Sequence, residues 1–385
     1  MRDTTDEITL VVESDRVLTP EGLRHGRLAV AGDRIVGFVE EMPASARRIE
    51  AHGKLVLPGI VDIHGDGFER QVMPRPRTMI RSDIAFLDTD RQLVANGITT
   101  AFHGITVSWE PGLRSLDHAR ELVDALTSIR PVLGCDTRLH IRWETFALEA
   151  VEDVEAWLSL EPRPILAFND HTTGTVEKAP VARKTAQHAE RAGVSIAEYD
   201  AMVEAQWGRR DQVPAAVERL ATAARAAGVV LLAHDERTAA ERLHFRALGA
   251  VTSEFPMNRE TAETARAAGE HTVMGAPNVL RGGSHNGMIN ATPAVADGLC
   301  TVLASDYYYP APLHAAFRLV RDGVLALPEA WALVSKNAAE ASGLADRGVL
   351  SAGKRADVVV VDDSQETLPR VDTTIVAGRT VFSGT

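Results

Sequence analysis

Cysteine is scarce: Cys135 and Cys300 are the two among 385 residues. Two cysteines exclude a disulfide framework and a thiolate zinc finger, and the expectation is two reduced core thiols in a cytoplasmic protein. Long apolar runs are also missing. No stretch approaches the ~18 residues that a membrane-spanning helix needs. The charged start MRDTTDEITLVVESDRV has no apolar centre of the kind a signal peptide carries, so no membrane partner is expected. Positive charge is in deficit, with 41 Lys plus Arg against 53 Asp plus Glu and a net charge of −12. Nucleic-acid binding calls for a basic face that such a chain lacks. A local arginine cluster can still hold an anionic small molecule. The 45% apolar and 24% charged content excludes a disordered chain, a collagen-like chain and a coiled-coil rod. A chain of this length makes two domains or one large barrel.

What is present has two textures. The first ~55 residues are β-rich. Ile8–Val12, Arg27–Ala31 and Ile35–Val39 are strand candidates, and Gly32-Asp33 suits a hairpin turn between the last two. The last ~35 residues repeat the pattern. Asp357–Val361 has the look of a buried strand, and Ala377-Gly378 turns between Thr374–Val376 and Arg379–Phe382. The two ends can pair into one small domain, over 1–57 plus 346–385. Between them, over 58–345, short apolar runs alternate with segments of helical period. The strand candidates are Ile60–Ile63, Thr99–Phe102, Leu139–Trp143, Ile165–Phe168, Val229–Ala233, Ala250–Ser253, Thr272–Met274 and Cys300–Ala304. Helix candidates such as Arg81–Asn96, Leu116–Ile129 and Ala215–Ala227 lie between them. Eight strands alternating with helices fit an α/β fold of the (β/α)₈ TIM-barrel type better than an open doubly wound sheet.

In such a barrel the active site forms at the C-terminal ends of the strands. Polar residues of metal-ligand type recur there. His64 and Asp66 follow the first candidate strand, Glu144 the third, Asp170 and His171 the fourth, His234 and Asp235 the fifth, Glu254 the sixth and Asp306 the eighth. His64-x-Asp66 is the strongest local element, because residues i and i+2 of a strand share a face. Imidazole plus carboxylate there makes a divalent-metal pair. Glu144 is placed to bridge two ions, and His171 and His234 suit a second. Asp306 would take the proton of a water whose pKa the metal lowers towards ~7. One or two ions are expected, zinc first, with manganese, iron or cobalt as alternatives.

Two further segments point to an anion. Arg70, Arg75 and Arg77 fall within eight residues, stiffened by Pro74 and Pro76, and arginine forks bind phosphate oxygens in pairs. Arg281-Gly282-Gly283-Ser284-His285 offers backbone N–H groups and a close approach. No P-loop pattern is present. Tyr307, with Tyr308 and Tyr309 after it, could line a pocket wall.

At these residues the sequence resembles the amidohydrolase superfamily. Pro58-Gly59-Ile60-Val61-Asp62-Ile63-His64 is similar to its first-strand motif, and Gly353-Lys354-Arg355-Ala356-Asp357-Val358-Val359 to its closing β motif. The resemblance implies a metal-dependent hydrolase barrel with a composite β-sandwich from both chain ends, and a homodimer. Glu69-Arg70, Pro74-Arg75-Pro76, Asp170-His171-Thr172, Arg281-Gly282-Gly283-Ser284-His285 and Ser305-Asp306-Tyr307 narrow it to the PhnM-type family of phosphonate degradation. Gly65, Gly67, Gln71, Met288 and Tyr308-Tyr309 depart from that family's pattern.

That family hydrolyses α-D-ribose 1-methylphosphonate 5-triphosphate to the 5-phosphate and diphosphate. The implied roles are His64, Asp66, Glu144, His171, His234 and Asp306 as ligands, and Asp306 as general base. His285 would contact phosphate or protonate the leaving group. Arg70, Arg75, Arg77, Arg281, Gly283, Ser284 and Tyr307 would contact a phosphorylated small molecule. The alternative is the same centre acting on a C–N bond, as an amide, lactam or amidine hydrolase or a deaminase.

Overall fold

The computed structural model describes residues 7–177, 185–283 and 289–384. The N-terminal strands are β1 (Leu10–Thr19), β2 (Gly22–Ala31), β3 (Arg34–Val39), β4 (Arg47–Glu50) and β5 (Leu55–Pro58). Eight more follow: β6 (Ile60–Gly65), β7 (Ile98–Val107), β8 (Asp136–Glu144), β9 (Ile165–Asn169), β10 (Val230–His234), β11 (Ala250–Glu254), β12 (His271–Gly275) and β13 (Val302–Ala304). The C-terminal strands are β14 (Val358–Asp362), β15 (Arg370–Val376) and β16 (Arg379–Ser383).

The two ends of the chain share one mixed sheet in the order β16-β15-β14-β5-β1-β2-β3, with β4 also on β1. The four valines of β14 are fully buried. An all-apolar run of β-branched residues suits the middle of a sheet, and β14 lies antiparallel to β5, with Val358 opposite Pro58 and Val360 opposite Val56. The turns Gly32-Asp33 and Ala377-Gly378 touch. A Cβ at Gly378 would come within 2.1 Å of the Gly32 carbonyl oxygen, so a side chain cannot be accommodated there.

Strands β6 to β13 are parallel neighbours in sequence order. Backbone hydrogen bonds close the ring at the functional end: Asp306 N–H donates to His64 O (2.9 Å) and Asp66 N–H to Asp306 O (3.0 Å). Asp62 locks the same seam. Its fully buried carboxylate accepts from Ser305 N–H (2.9 Å) and Ser305 Oγ (2.5 Å). The (β/α)₈ expectation is borne out.

Side chains alternate along each barrel strand. On β8, Leu139, Ile141 and Trp143 join the apolar layer that includes Leu122 and Leu126 of the helix Leu116–Ile129. His140, Arg142 and Glu144 therefore face the other way, into the barrel, and all three are buried. On β6, Val61 and Ile63 pack with Ile165, Ala167 and Leu232 inside the barrel, and the register breaks between Asp62 and Gly65, so that His64 reaches the interior at Glu254 while Asp62 stays at the seam with Ser305.

The loop between β9 and β10 carries two helices the sequence reading leaves out, Thr185–Ala192 and Ile196–Trp207. The second is announced by a capping box, Ser195 with Glu198. Arg347 ties the C-terminal segment to the barrel: its Nη1 meets Asp136 Oδ2 at 2.6 Å and Thr100 Oγ1 at 2.8 Å. Cys135 and Cys300 are buried free thiols. Among the described residues, no helix is long and apolar enough to cross a membrane.

Candidate metal centre and its cleft

A cleft of about 270 Å³ opens at the C-terminal ends of the barrel strands. Its polar wall is His64, Asp66, Arg142, His234, Asp235 and Asp306, and Phe255, Met274, Pro277, Ile289 and Tyr307 supply apolar cover. Three residues at strand ends, Asp235, Phe255 and Asp306, have left-handed backbone, with φ of 56°, 54° and 55°. Non-glycine residues rarely adopt that conformation, and its cost concentrates at functional sites.

Glu254 is the hub. One carboxylate oxygen lies 2.8 Å from His64 Nδ1 and the other 2.8 Å from His234 Nδ1. His140 Nε2 is 3.5 Å from the same carboxylate, and His140 Nδ1 is anchored on the Ile63 carbonyl at 2.9 Å. Burial pushes Glu254 up to about 7 and holds His64 and His140 down at about 3. His234 is driven well below its ordinary value, by burial first and then by the Arg142 charge. The three histidines are therefore neutral, which is the ligand form of imidazole.

Among the described residues, three groups of side chains bring ligand atoms within 4.8 Å of one another: His64, Asp66 and Asp306; His171, His234 and Asp235; and His64, His140 and Glu254. The first group fits a divalent ion best. With Nδ1 committed to Glu254, His64 keeps Nε2 for a ligand, and a carboxylate supporting a histidine in this way is the usual arrangement behind metal ligands. Two carboxylates complete the set. Burial and the neighbouring Asp66 charge raise the Asp306 carboxyl to about 8, against the opposing pull of the Arg142 guanidinium.

His171 stands at the cleft's side. Burial would lower it, but Glu144 (2.5 Å from Nδ1) and Asp235 (3.2 Å from Nε2) outweigh that and raise it to about 10. Glu144 also accepts from the His171 backbone N–H at 3.2 Å. Asp170 caps the following helix, accepting from Thr173 N–H at 2.9 Å.

The structure thus brings His64, Asp66, His234, Asp306 and Tyr307 to one cleft, with Glu144 and His171 beside it. Arg70 lies over the Tyr307 ring, 5.9 Å from its centroid. Arg75, Arg77 and Arg281 are exposed and form no part of the cleft wall. Their spacing in the chain fixes a basic loop but not its direction. Gly283 N–H closes the preceding helix on Asn278 O (3.2 Å). Ser284 and His285 lie outside the described residues. Arg142, His140 and the bridging role of Glu254 were absent from the sequence reading. The signal for the first two was the period-two run His140-x-Arg142-x-Glu144 on a candidate strand.

A model of the amidohydrolase family matches residues 92–382. The chain belongs to the amidohydrolase family. It is 30% identical over 362 residues to the α-D-ribose 1-methylphosphonate 5-triphosphate diphosphatase of Escherichia coli (strain K12), covering 91% of this chain and 94% of that one. It is 27% identical over 347 residues to an adenine deaminase of Methylobacterium sp. (strain 4-46), covering 87% of this chain and 52% of that protein. The dihydropyrimidinase of Brevibacillus agri NCHU1002 shares the fold, with a TM-score of 0.64 at 12% identity over 97% of this amidohydrolase and 95% of that chain. This amidohydrolase is a hydrolase of the superfamily, whose members generally use divalent metals.

Proposed function

We propose that this amidohydrolase cleaves α-D-ribose 1-methylphosphonate 5-triphosphate between its α- and β-phosphates, releasing diphosphate and leaving the 5-phosphate. The observation that carries the reading is the 30% identity with the E. coli diphosphatase across nearly the whole of both chains. The cleft supports it by placing a guanidinium, Arg142, among the ligand groups, where a polyphosphate needs positive charge.

His64, Asp66 and Asp306 would hold a divalent ion, zinc first, with manganese, iron or cobalt as alternatives. When bound, such an ion supplies Lewis acidity at the attacked phosphorus and makes water more acidic at neutral pH. The chain's own groups do the rest. Asp306 accepts the proton of the attacking water at its carboxylate and can return it to the leaving diphosphate. Arg142 orients and neutralises the phosphoryl oxygens from the cleft floor. Arg70, held at the rim against Tyr307, takes the outer phosphates. Phe255, edge-on to His64 with ring centroids 4.8 Å apart, keeps water off the ligand face.

A phosphorus NMR time course tests this. Metal-loaded enzyme is given the ribose phosphonate triphosphate, with ATP in parallel. Diphosphate should form quickly from the first and much more slowly from the second. A metal-replete enzyme that forms no diphosphate overturns the reading. The likeness to the adenine deaminase favours C–N hydrolysis as the second reading. Inhibition by diphosphate separates the two, since a C–N hydrolase has no leaving group of that kind to recognise.

A further inference from the structure

Arg142 lies between the first two ligand groups. Its Nη1 donates to Asp66 Oδ2 at 3.2 Å and its Nη2 to His234 Nε2 at 3.1 Å. The side chain is 5% exposed, and a guanidinium keeps its charge at every working pH.

This contact settles the state of His234. Nε2 accepts from arginine, so the ring proton sits on Nδ1, where Glu254 receives it at 2.8 Å. The other Glu254 oxygen receives Nδ1–H of His64. One carboxylate therefore fixes two rings, yet the rings differ in what they have left. His64 retains Nε2 for a ligand, whereas the Nε2 of His234 is already engaged by a fixed cation. His171 is engaged at both nitrogens, by Glu144 and Asp235. The group of His64, Asp66 and Asp306 thus offers a nitrogen and two carboxylates. The group of His171, His234 and Asp235 offers no nitrogen without breaking a contact to a charged neighbour. Arg142 touches both groups, but Asp66 keeps its other carboxylate oxygen for an ion, whereas both nitrogens of His234 are taken.

We propose that Arg142 takes the place of the second cation of a two-ion centre: the cleft binds one divalent ion, at His64, Asp66 and Asp306, and the guanidinium carries the other positive charge. The proposal rests on the reading of this cleft as a metal centre and is independent of the substrate. Unlike an ion, this charge survives chelation, and it presents a flat pair of N–H donors to a phosphoryl group.

Metal content provides the test. Chelator-stripped protein is dialysed against zinc and analysed by plasma mass spectrometry, with the double variant His64→Ala/Asp306→Asn as the blank. The wild type should take one equivalent. Arg142→Met, which keeps an apolar stem and loses the charge, should take two. Should Arg142→Met fail to fold, His234→Gln serves instead: it should keep the single equivalent, because His234 is not a ligand. Two equivalents in the wild type, one in a folded Arg142→Met, or a loss in His234→Gln each overturn the proposal alone. A wild type that takes no ion overturns the metal-centre reading and the proposal with it.

Discussion

His64 and Glu254, on the first and sixth strands of the barrel, meet at 2.8 Å, imidazole Nδ1 to carboxylate oxygen, with both side chains withdrawn from solvent. The contact fixes which ring nitrogen is protonated and so which one can serve as a ligand. Glu254→Gln leaves one acceptor oxygen for two imidazole N–H groups and points an amide N–H₂ at the other. One histidine must then turn or change tautomer. Metal affinity should fall by about 10–100-fold. Equilibrium dialysis against zinc measures it, and unchanged affinity would remove Glu254 from its supporting role.

Asp306 has φ of 55°, a conformation that asparagine tolerates better than other substitutes. Asp306→Asn should therefore fold and melt close to wild type, while turnover falls by roughly 10²–10⁴ through loss of the base. Asp306→Ala should lose activity and also about 1 kcal/mol or more of stability, because alanine is strained there. Thermal melts beside turnover separate the two effects. Near-normal turnover in Asp306→Asn would take the residue out of the chemistry.

His103 is buried, packed against Phe68 and Phe86, and its Nδ1 has no hydrogen-bond partner among the described residues. Burial lowers it from 6.5 to about 3. The unfolded chain thus binds this proton below pH 6.5 while the folded chain refuses it until about pH 3. Its neutral burial costs no protonation energy above pH 6.5, and stability drains away as pH falls through that window. His103→Phe removes one proton from the difference, about 1.4 kcal/mol per pH unit of slope. Melting curves at pH 7.5 and 5.5 should show the variant gaining on the wild type at the lower pH. Parallel pH dependences would refute the assignment.

Arg347 joins the tail to the barrel, contacting Asp136 at 2.6 Å and lying 3.8 Å from Asp357, with 3% of its side chain exposed. Burial pushes Asp357 up, and Arg355 and Arg347 oppose that. Arg347→Met leaves Asp136 to Arg138 and Asp357 to Arg355, at 3.1 Å each, and removes the buried guanidinium near both. It should cost about 1–3 kcal/mol, read as a lower urea midpoint. A loss under about 1 kcal/mol would mean that water reaches the junction.

Much of the frame was legible before the fold. Ile165–Phe168 as a strand candidate is Ile165–Asn169 in the structure, and the helix expected over Leu116–Ile129 spans those same residues. Their periods, two and 3.6, are set by neighbouring residues, so they survive without tertiary information. The recurrence of His, Asp and Glu at strand ends was legible for the same reason. The Arg75 and Arg77 loop shows the limit. A cluster of like charges is a local fact, but its direction depends on what it packs against.

Residue order alone set eight inward-facing strands, their polar ends and the terminal strands that share a sheet, because alternation and turn chemistry act over a few residues. Folding set the rest. Asp62 reaches Ser305 across 243 positions and His64 reaches Glu254 across 190. Which nitrogen of each histidine is engaged, and whether a guanidinium sits where a second ion could, follow from contacts that exist only once the barrel has closed. Burial then supplies the low-dielectric setting that keeps those histidines neutral.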